Sequence, residues 1–240
     1  MEHPVLFLNL LFSKLGLPIV TQVDEAKTLL QKILLPHVTY TWVVMIILLI
    51  LARLGAKRLE MVPKGGQNFF EVIITGIEDF MVDITGEEGR FVFPLIATLG
   101  FFILFSNYLG LIPGFYSPTS NINTTLACAL IVVFYTHVIG VKFHGAKYIK
   151  HFLGPIWWLS PLIFPIELIG HAARALSLSI RLFGNIFGEE LVLALLFFLA
   201  GLYFAPLPMM VLSLFTGFVQ AFIFVLLSIM YFAGAIEEAH

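Results

Sequence analysis

Residues 165–201 read PIELIGHAARALSLSIRLFGNIFGEELVLALLFFLAG, and no proline interrupts them after the first position. Pro161 and Pro165 stand before this stretch and Pro206 follows it, so about 36 residues can form a single helix. At 1.5 Å per residue such a helix is about 54 Å long, against about 30 Å of hydrocarbon in a bilayer. It cannot cross upright. Either it splits into two short spans or it lies at roughly 55° or more from the membrane normal, far from the usual slope of a spanning helix. Gly170, Gly184 and Gly188 could kink it, but the loop that two spans would need is missing, which favours the steep slope. Pro206-Leu207-Pro208 then turns the chain into a second apolar helix of similar slope, ending near Ile236, before Glu237 and Glu238.

The rest of the chain fixes the solvent as a bilayer. Of 240 residues, 60% are hydrophobic and only 12% charged, and a mean hydropathy of +0.99 leaves too little polar surface to clothe a soluble domain. A first span is expected over 38–54, followed by Arg53, Lys57, Arg58 and Lys64. Over 67–84 apolar residues recur at helical spacing opposite Glu71, Thr75, Glu78 and Asp83, a pattern for a helix lying on the membrane surface. A second span is expected over 91–111, ending at Pro113-Gly114, and a third over 122–141, with Lys142, Lys147 and Lys150 after it. Basic residues thus flank the first and third connections and avoid the second, which puts the N-terminus outside and the C-terminus in the cytoplasm. Met1–Leu17 lacks the basic start and cleavage site of a signal peptide, so it is read as retained, in a bacterial inner membrane. The expectation is an all-α integral membrane protein forming one membrane domain over 1–240. It consists of upright transmembrane helices, one interfacial amphipathic helix and a steeply tilted hairpin over 165–201 and 207–236.

A net charge of −2 gives no reason to expect nucleic acid. Cys128, the single cysteine, cannot form an internal disulfide and reads as apolar filler. There is no glycine-rich phosphate loop, no His-Glu-x-x-His and no aspartate cluster, so neither nucleotide, cofactor nor metal is expected on this chain. His137 and His171 each read as packing or hydrogen-bonding residues standing alone.

The chemistry concentrates on Arg181, deep in the first hairpin helix, where a central charge costs about 2.5–3.5 kcal/mol on insertion scales. At 100° per residue, Glu167, Gly170, Arg174, Ser177, Asn185 and Gly188 fall within about 40° of it. Small residues on that face let another helix approach closely, and a guanidinium there calls for an anion, so a partner helix with a membrane carboxylate is expected. The hairpin's own acids serve poorly, because Glu190 points to the opposite side, Glu189 is about 80° away and Glu167 is about four turns off. The plain alternative, an arginine that snorkels or fixes packing, suits a helix end, and Arg181 is not at one. Arg174, two turns nearer the inner surface, is open to both readings, as an interfacial anchor or as part of the same path. On the second helix Ser213, Thr216, Gln220 and Tyr231 form a polar stripe with Gly217 and Gly234. Ser213 and Thr216 read first as glue between helices, while Gln220 is expected to reach the Arg181 region. Glu189 and Glu190 are adjacent acids in a low-dielectric setting, of the kind that relays protons, and their different faces would let them serve different cavities.

At Leu178-Ser179-Ile180-Arg181-Leu182-Phe183-Gly184-Asn185 the chain resembles the a subunits of the rotary ATP synthases. Further resemblance runs through Ser106-Asn107-Tyr108-Leu109-Gly110-Leu111-Ile112-Pro113, Asn123-Thr124-Thr125-Leu126-Ala127, Pro165-Ile166-Glu167 and Gln220-Ala221-Phe222-Ile223-Phe224. The resemblance implies that Arg181 is the essential arginine, Asn185 and Gln220 its polar companions, and Glu167 and Glu190 channel-lining acids. Glu189 and Ser213 match positions where members vary, often with a histidine or an acid at one of the two, and here Ser213 offers only a hydroxyl. The implied partners are a c-ring proteolipid with a mid-membrane carboxylate, the peripheral-stalk subunit b, the remaining synthase subunits and the lipid bilayer. The implied role is a non-catalytic stator subunit. Protons enter beside Glu189, Glu190 and Ser213, pass to the ring, and leave beside Glu167 and Arg174. The alternatives are a sodium-translocating version of this subunit and a secondary transporter binding an anionic solute at Arg181; the latter calls for an internal repeat and broken helices.

Overall fold

A computed structural model describes residues 8, 14, 34–56, 66–112, 114–145, 148, 158, 160–200 and 206–237. Most of Met1–Leu17, Lys57, Arg58, Lys64, Pro113, Lys147, Lys150, Pro155, residues 201–205 and Glu238 lie outside them. The described residues are helical and contain no strand. In chain order the α-helices are α1 (Pro36–Gly55), α2 (Gly66–Thr85), α3 (Phe93–Leu109), α4 (Ile122–His144), α5 (Ser160–Ala200) and α6 (Pro206–Glu237). A 3-10 segment, Glu87–Val92, leads into α3, and another, Pro118–Ser120, precedes α4. Among the described residues five helices, all but α2, are long and apolar enough to cross a membrane, α3 together with its 3-10 lead.

The helix ends follow local chemistry. Pro36 begins α1 and Pro206 begins α6, in first turns whose N–H groups have no helical acceptor anyway. Asn121 caps α4, its Oδ1 accepting the N–H of Asn123 at 3.0 Å. Gly86 (φ 72°) and Gly145 (φ 54°) close α2 and α4 in the left-handed region, each N–H bonding back to a helix carbonyl. The long helix starts at Ser160 rather than after Pro165, so Pro165 sits inside α5. A proline there removes one backbone bond, toward Pro161, and the remaining ladder carries the helix through it.

The chain divides into two compact units, and α3, α4, α5 and α6 each contribute to both. Unit 1 comprises residues 1–58, 101–124 and 182–221. Its apolar centre is Tyr40, Val44 and Leu109, with Phe102, Phe105, Phe115 and Tyr116 packed around them. Tyr40 is fully buried, and its hydroxyl donates to the carbonyl of Gly114 at 3.3 Å, which satisfies the polar tip of an otherwise apolar anchor. Unit 2 comprises residues 59–100, 125–181 and 222–240. Met81, Ile96, Val132, Ile139, Leu178, Phe224, Ile229 and Phe232 are among its buried side chains. At the unit's surface Arg90 pairs with Glu78 at 2.6 Å and with Glu87 at 3.2 Å, which ties the end of α2 to the 3-10 segment after it.

Candidate functional site

In unit 1 the charge-free loop before α4 is a hub of buried hydrogen bonds. Ser117 Oγ donates to the carbonyl of Ser106 at 2.9 Å and lies 2.8 Å from Thr119 Oγ1. Thr119 Oγ1 in turn donates to Asn107 Oδ1 at 2.7 Å. Asn107 Nδ2 donates to the carbonyl of Gly217 on α6 at 3.0 Å, and the Ser117 N–H donates to Glu190 Oε1 on α5 at 3.3 Å. Three helices are thereby joined, and of the side chains involved Asn107, Ser117 and Thr119 are almost completely buried. Gly110 permits the approach, because a Cβ there would lie 2.7 Å from Ser117 Cβ and 3.0 Å from Glu190 Oε1.

Beside this network is a pocket of about 20 Å³, bordered by Asn107, Gly110, Glu189, Glu190 and Ser213. That volume accommodates a water molecule. The sequence reading let the two glutamates serve different cavities; both line this one, since Glu189 and Glu190 meet the same gap from adjacent edges of α5. Ser213 is buried, and its Oγ has no hydrogen-bond partner of ordinary geometry among the described residues. Such a hydroxyl is a place for water. Elsewhere in unit 1, Asn185 Nδ2 donates to Gln220 Oε1 at 2.8 Å, joining α5 to α6.

Unit 2 carries Arg181 on the exposed surface of α5, whose Leu176 and Ile180 are exposed as well. Among the described residues of its unit, no carboxylate pairs with it. Arg174 and Ser177 are exposed as well, and a Cβ added at Gly170 would meet nothing within 4 Å. In unit 1, α5 continues this character: Gly184 and Asn185 are exposed, and a Cβ at Gly184 or Gly188 would also meet nothing.

A second polar pocket, of about 190 Å³, lies within unit 2 and is bordered by Thr136, Tyr148, His171, Arg174, Tyr231 and Gly234 among others. The Arg174 guanidinium sits 5.8 Å from the Tyr231 ring centre. Glu167 Oε1 lies 3.3 Å from His171 Nε2, one turn along α5. His137 and His171 do not stand alone, as their sequence positions suggested: their rings meet edge to face at 4.6 Å, and His137 Nδ1 is 2.8 Å from the Tyr148 hydroxyl. Sequence reasoning missed this cluster because its members lie on α4, after α4 and on α5, and only the i, i+4 pairing of Glu167 with His171 was visible as a local signal.

These features define a class: a multi-pass helical membrane protein with an arginine on a small-residue face of an apolar helix and polar pockets, one of them lined by acids, among its helices. The chain belongs to the ATP synthase A chain family, whose model matches residues 38–233. It is 76% identical over its full length to the whole of "ATP synthase subunit a" of Syntrophobacter fumaroxidans. It is likewise 58% identical to the subunit of that name from Desulfosudis oleivorans and 51% to that from Geobacter sulfurreducens, with both chains covered completely.

Proposed function

We propose that this chain is the stationary ion-translocating subunit of a rotary ATP synthase, coupling proton flow to rotation of a partner ring. The observation that carries the reading is Arg181: a cation on an exposed, small-residue face of an apolar helix, with no carboxylate paired to it among the described residues of its unit. A charge in such a place needs an anion from outside the chain. Ser177 and, by helical spacing, Gly184 and Gly188 leave room for a helix to come close, and a c-ring helix with a mid-membrane carboxylate fits that requirement.

In this mechanism protons enter from outside through a half-channel bordered by Glu189, Glu190 and Ser213 and protonate a ring carboxylate, which then turns through lipid. On its return the acid meets Arg181, whose positive charge favours the carboxylate form and expels the proton. The proton leaves through an inner half-channel beside Glu167 and Arg174. Arg181 also repels any proton moving straight from one half-channel to the other, and Asn185 and Gln220 hold the hairpin helices in register beside it. Each charge crossing 100 mV carries about 2.3 kcal/mol, so a leak at this barrier would dissipate the gradient. The chain itself performs no nucleotide chemistry. It works with the ring, the peripheral-stalk subunit b and the remaining synthase subunits in the bacterial inner membrane, its N-terminus outside and its C-terminus in the cytoplasm. Membrane vesicles holding the whole complex test the proposal. Arg181→Ala abolishes ATP-driven acidification, and normal pumping by that variant would refute the role.

A further inference from the structure

We propose that His171 is a proton-carrying residue of the inner half-channel, linking the cavity beside Arg174 to the carboxylate of Glu167. The inference rests on the proton-translocating reading and adds to it a carrier between the cavity and Glu167. His171 borders the 190 Å³ cavity together with Arg174, Tyr231 and Thr136. Its Nε2 lies 3.3 Å from Glu167 Oε1, and its side chain is 9% exposed where that of Glu167 is 29% exposed. A buried imidazole therefore joins a polar cavity to a partly exposed carboxylate.

Imidazole suits this position because it accepts a proton at one nitrogen and releases one from the other. A proton delivered to cavity water passes to one ring nitrogen of His171; the proton on the other nitrogen passes to the Glu167 carboxylate and from there to the inner aqueous phase. Exchange of tautomer restores the starting state, and no net charge stays behind. The groups facing the ring are Glu167 and Arg174 on α5, His137 on α4, Tyr148 beyond α4 and Tyr231 on α6. His137 and Tyr148 are positioning residues. The His137 ring braces that of His171 at 4.6 Å, and Tyr148 holds His137 by the 2.8 Å bond. Tyr148 is itself seated against Gly140, where any Cβ would collide with the phenol ring.

The test is passive proton flux, followed against pH, in vesicles holding the complete membrane sector with the ring. His171→Gln keeps a side chain that can hydrogen-bond and removes the titrating group. Its flux falls about tenfold and loses the wild-type pH dependence between about pH 5 and 8. Flux within about twofold of wild type, with unchanged pH dependence in an assembled complex, overturns the proposal. If His171→Gln does not assemble, Tyr148→Phe decides: it keeps the ring against Gly140 and removes the hydroxyl that bonds His137. Flux about threefold lower supports the relay, and wild-type flux overturns it. A wild-type sector without ring-dependent flux, or normal pumping by Arg181→Ala, would instead bring down the parent reading. Loss of pumping in Arg181→Ala beside an unaffected His171→Gln brings down this inference alone.

Discussion

Asn185 Nδ2 donates a hydrogen bond to Gln220 Oε1 at 2.8 Å, and this bond fastens α5 to α6 within unit 1. Gln220 is buried at 3% exposure while Asn185 is exposed, so the buried amide depends on its partner more than the reverse. Hydrogen bonds between membrane helices are worth about 0.6 kcal/mol on average and reach about 1.7 kcal/mol. A double-mutant cycle on Asn185→Ala and Gln220→Ala, read from thermal unfolding of the detergent-purified complex, is expected to give a coupling in that range. Strict additivity would show that the bond contributes nothing.

Gly110 and Gly184 make a contrasting pair. A methyl group at Gly110 would strike Ser117 Cβ, close to the backbone, and crowd Glu190, whereas a methyl group at Gly184 meets nothing within 4 Å. Gly110→Ala is therefore expected to destabilise the subunit by about 1–3 kcal/mol and to lower proton flux by displacing Glu190. Gly184→Ala leaves the subunit's own stability unchanged and weakens only its contact with the ring. Unfolding midpoints and ring co-purification, measured on the same two preparations, separate the effects.

Thr119 stands in the middle of a polar chain, bonded to Asn107 on one side and to Ser117 on the other. Thr119→Val keeps the shape and leaves the buried Asn107 Oδ1 without its donor, at about 1–3 kcal/mol, while Ser117 Oγ keeps only its bond to the Ser106 carbonyl. The expected outcome is a lower unfolding midpoint together with a slower proton flux, because Ser117 also orients Glu190. Rescue by Thr119→Ser, which restores the hydroxyl, checks that the loss comes from the hydrogen bonds.

The helices were legible because membrane spans are written in long apolar runs, and the unbroken α5 follows from the missing proline between Pro165 and Pro206. Arg181 was legible for the converse reason, as a charge where the solvent forbids one. Its surface position on α5 agrees with the face that helical spacing assigns to it, since Arg174, Ser177 and Asn185 are exposed as well. The start of α5 at Ser160 was not legible, because Pro165 reads as a boundary and is one only when no other contact holds the preceding turn. The loop network was hidden for a different reason. Ser117 and Thr119 are ordinary turn residues in sequence, and only the fold brings Asn107, Glu190 and Gly217 to them. The same holds for His137 and His171, which are separated by a connection that carries no motif.

Disulfide trapping shows whether a ring helix bearing a carboxylate covers the Arg181 face of α5. In a Cys128→Ala background, which removes the natural thiol, Ser177→Cys and Gly184→Cys are each combined with a cysteine one turn from the ring carboxylate. Both positions are expected to give a cross-linked product upon mild oxidation, lost when the ring is absent. Ready labelling of both cysteines by a water-soluble thiol reagent in the assembled complex, without any cross-link, would contradict it.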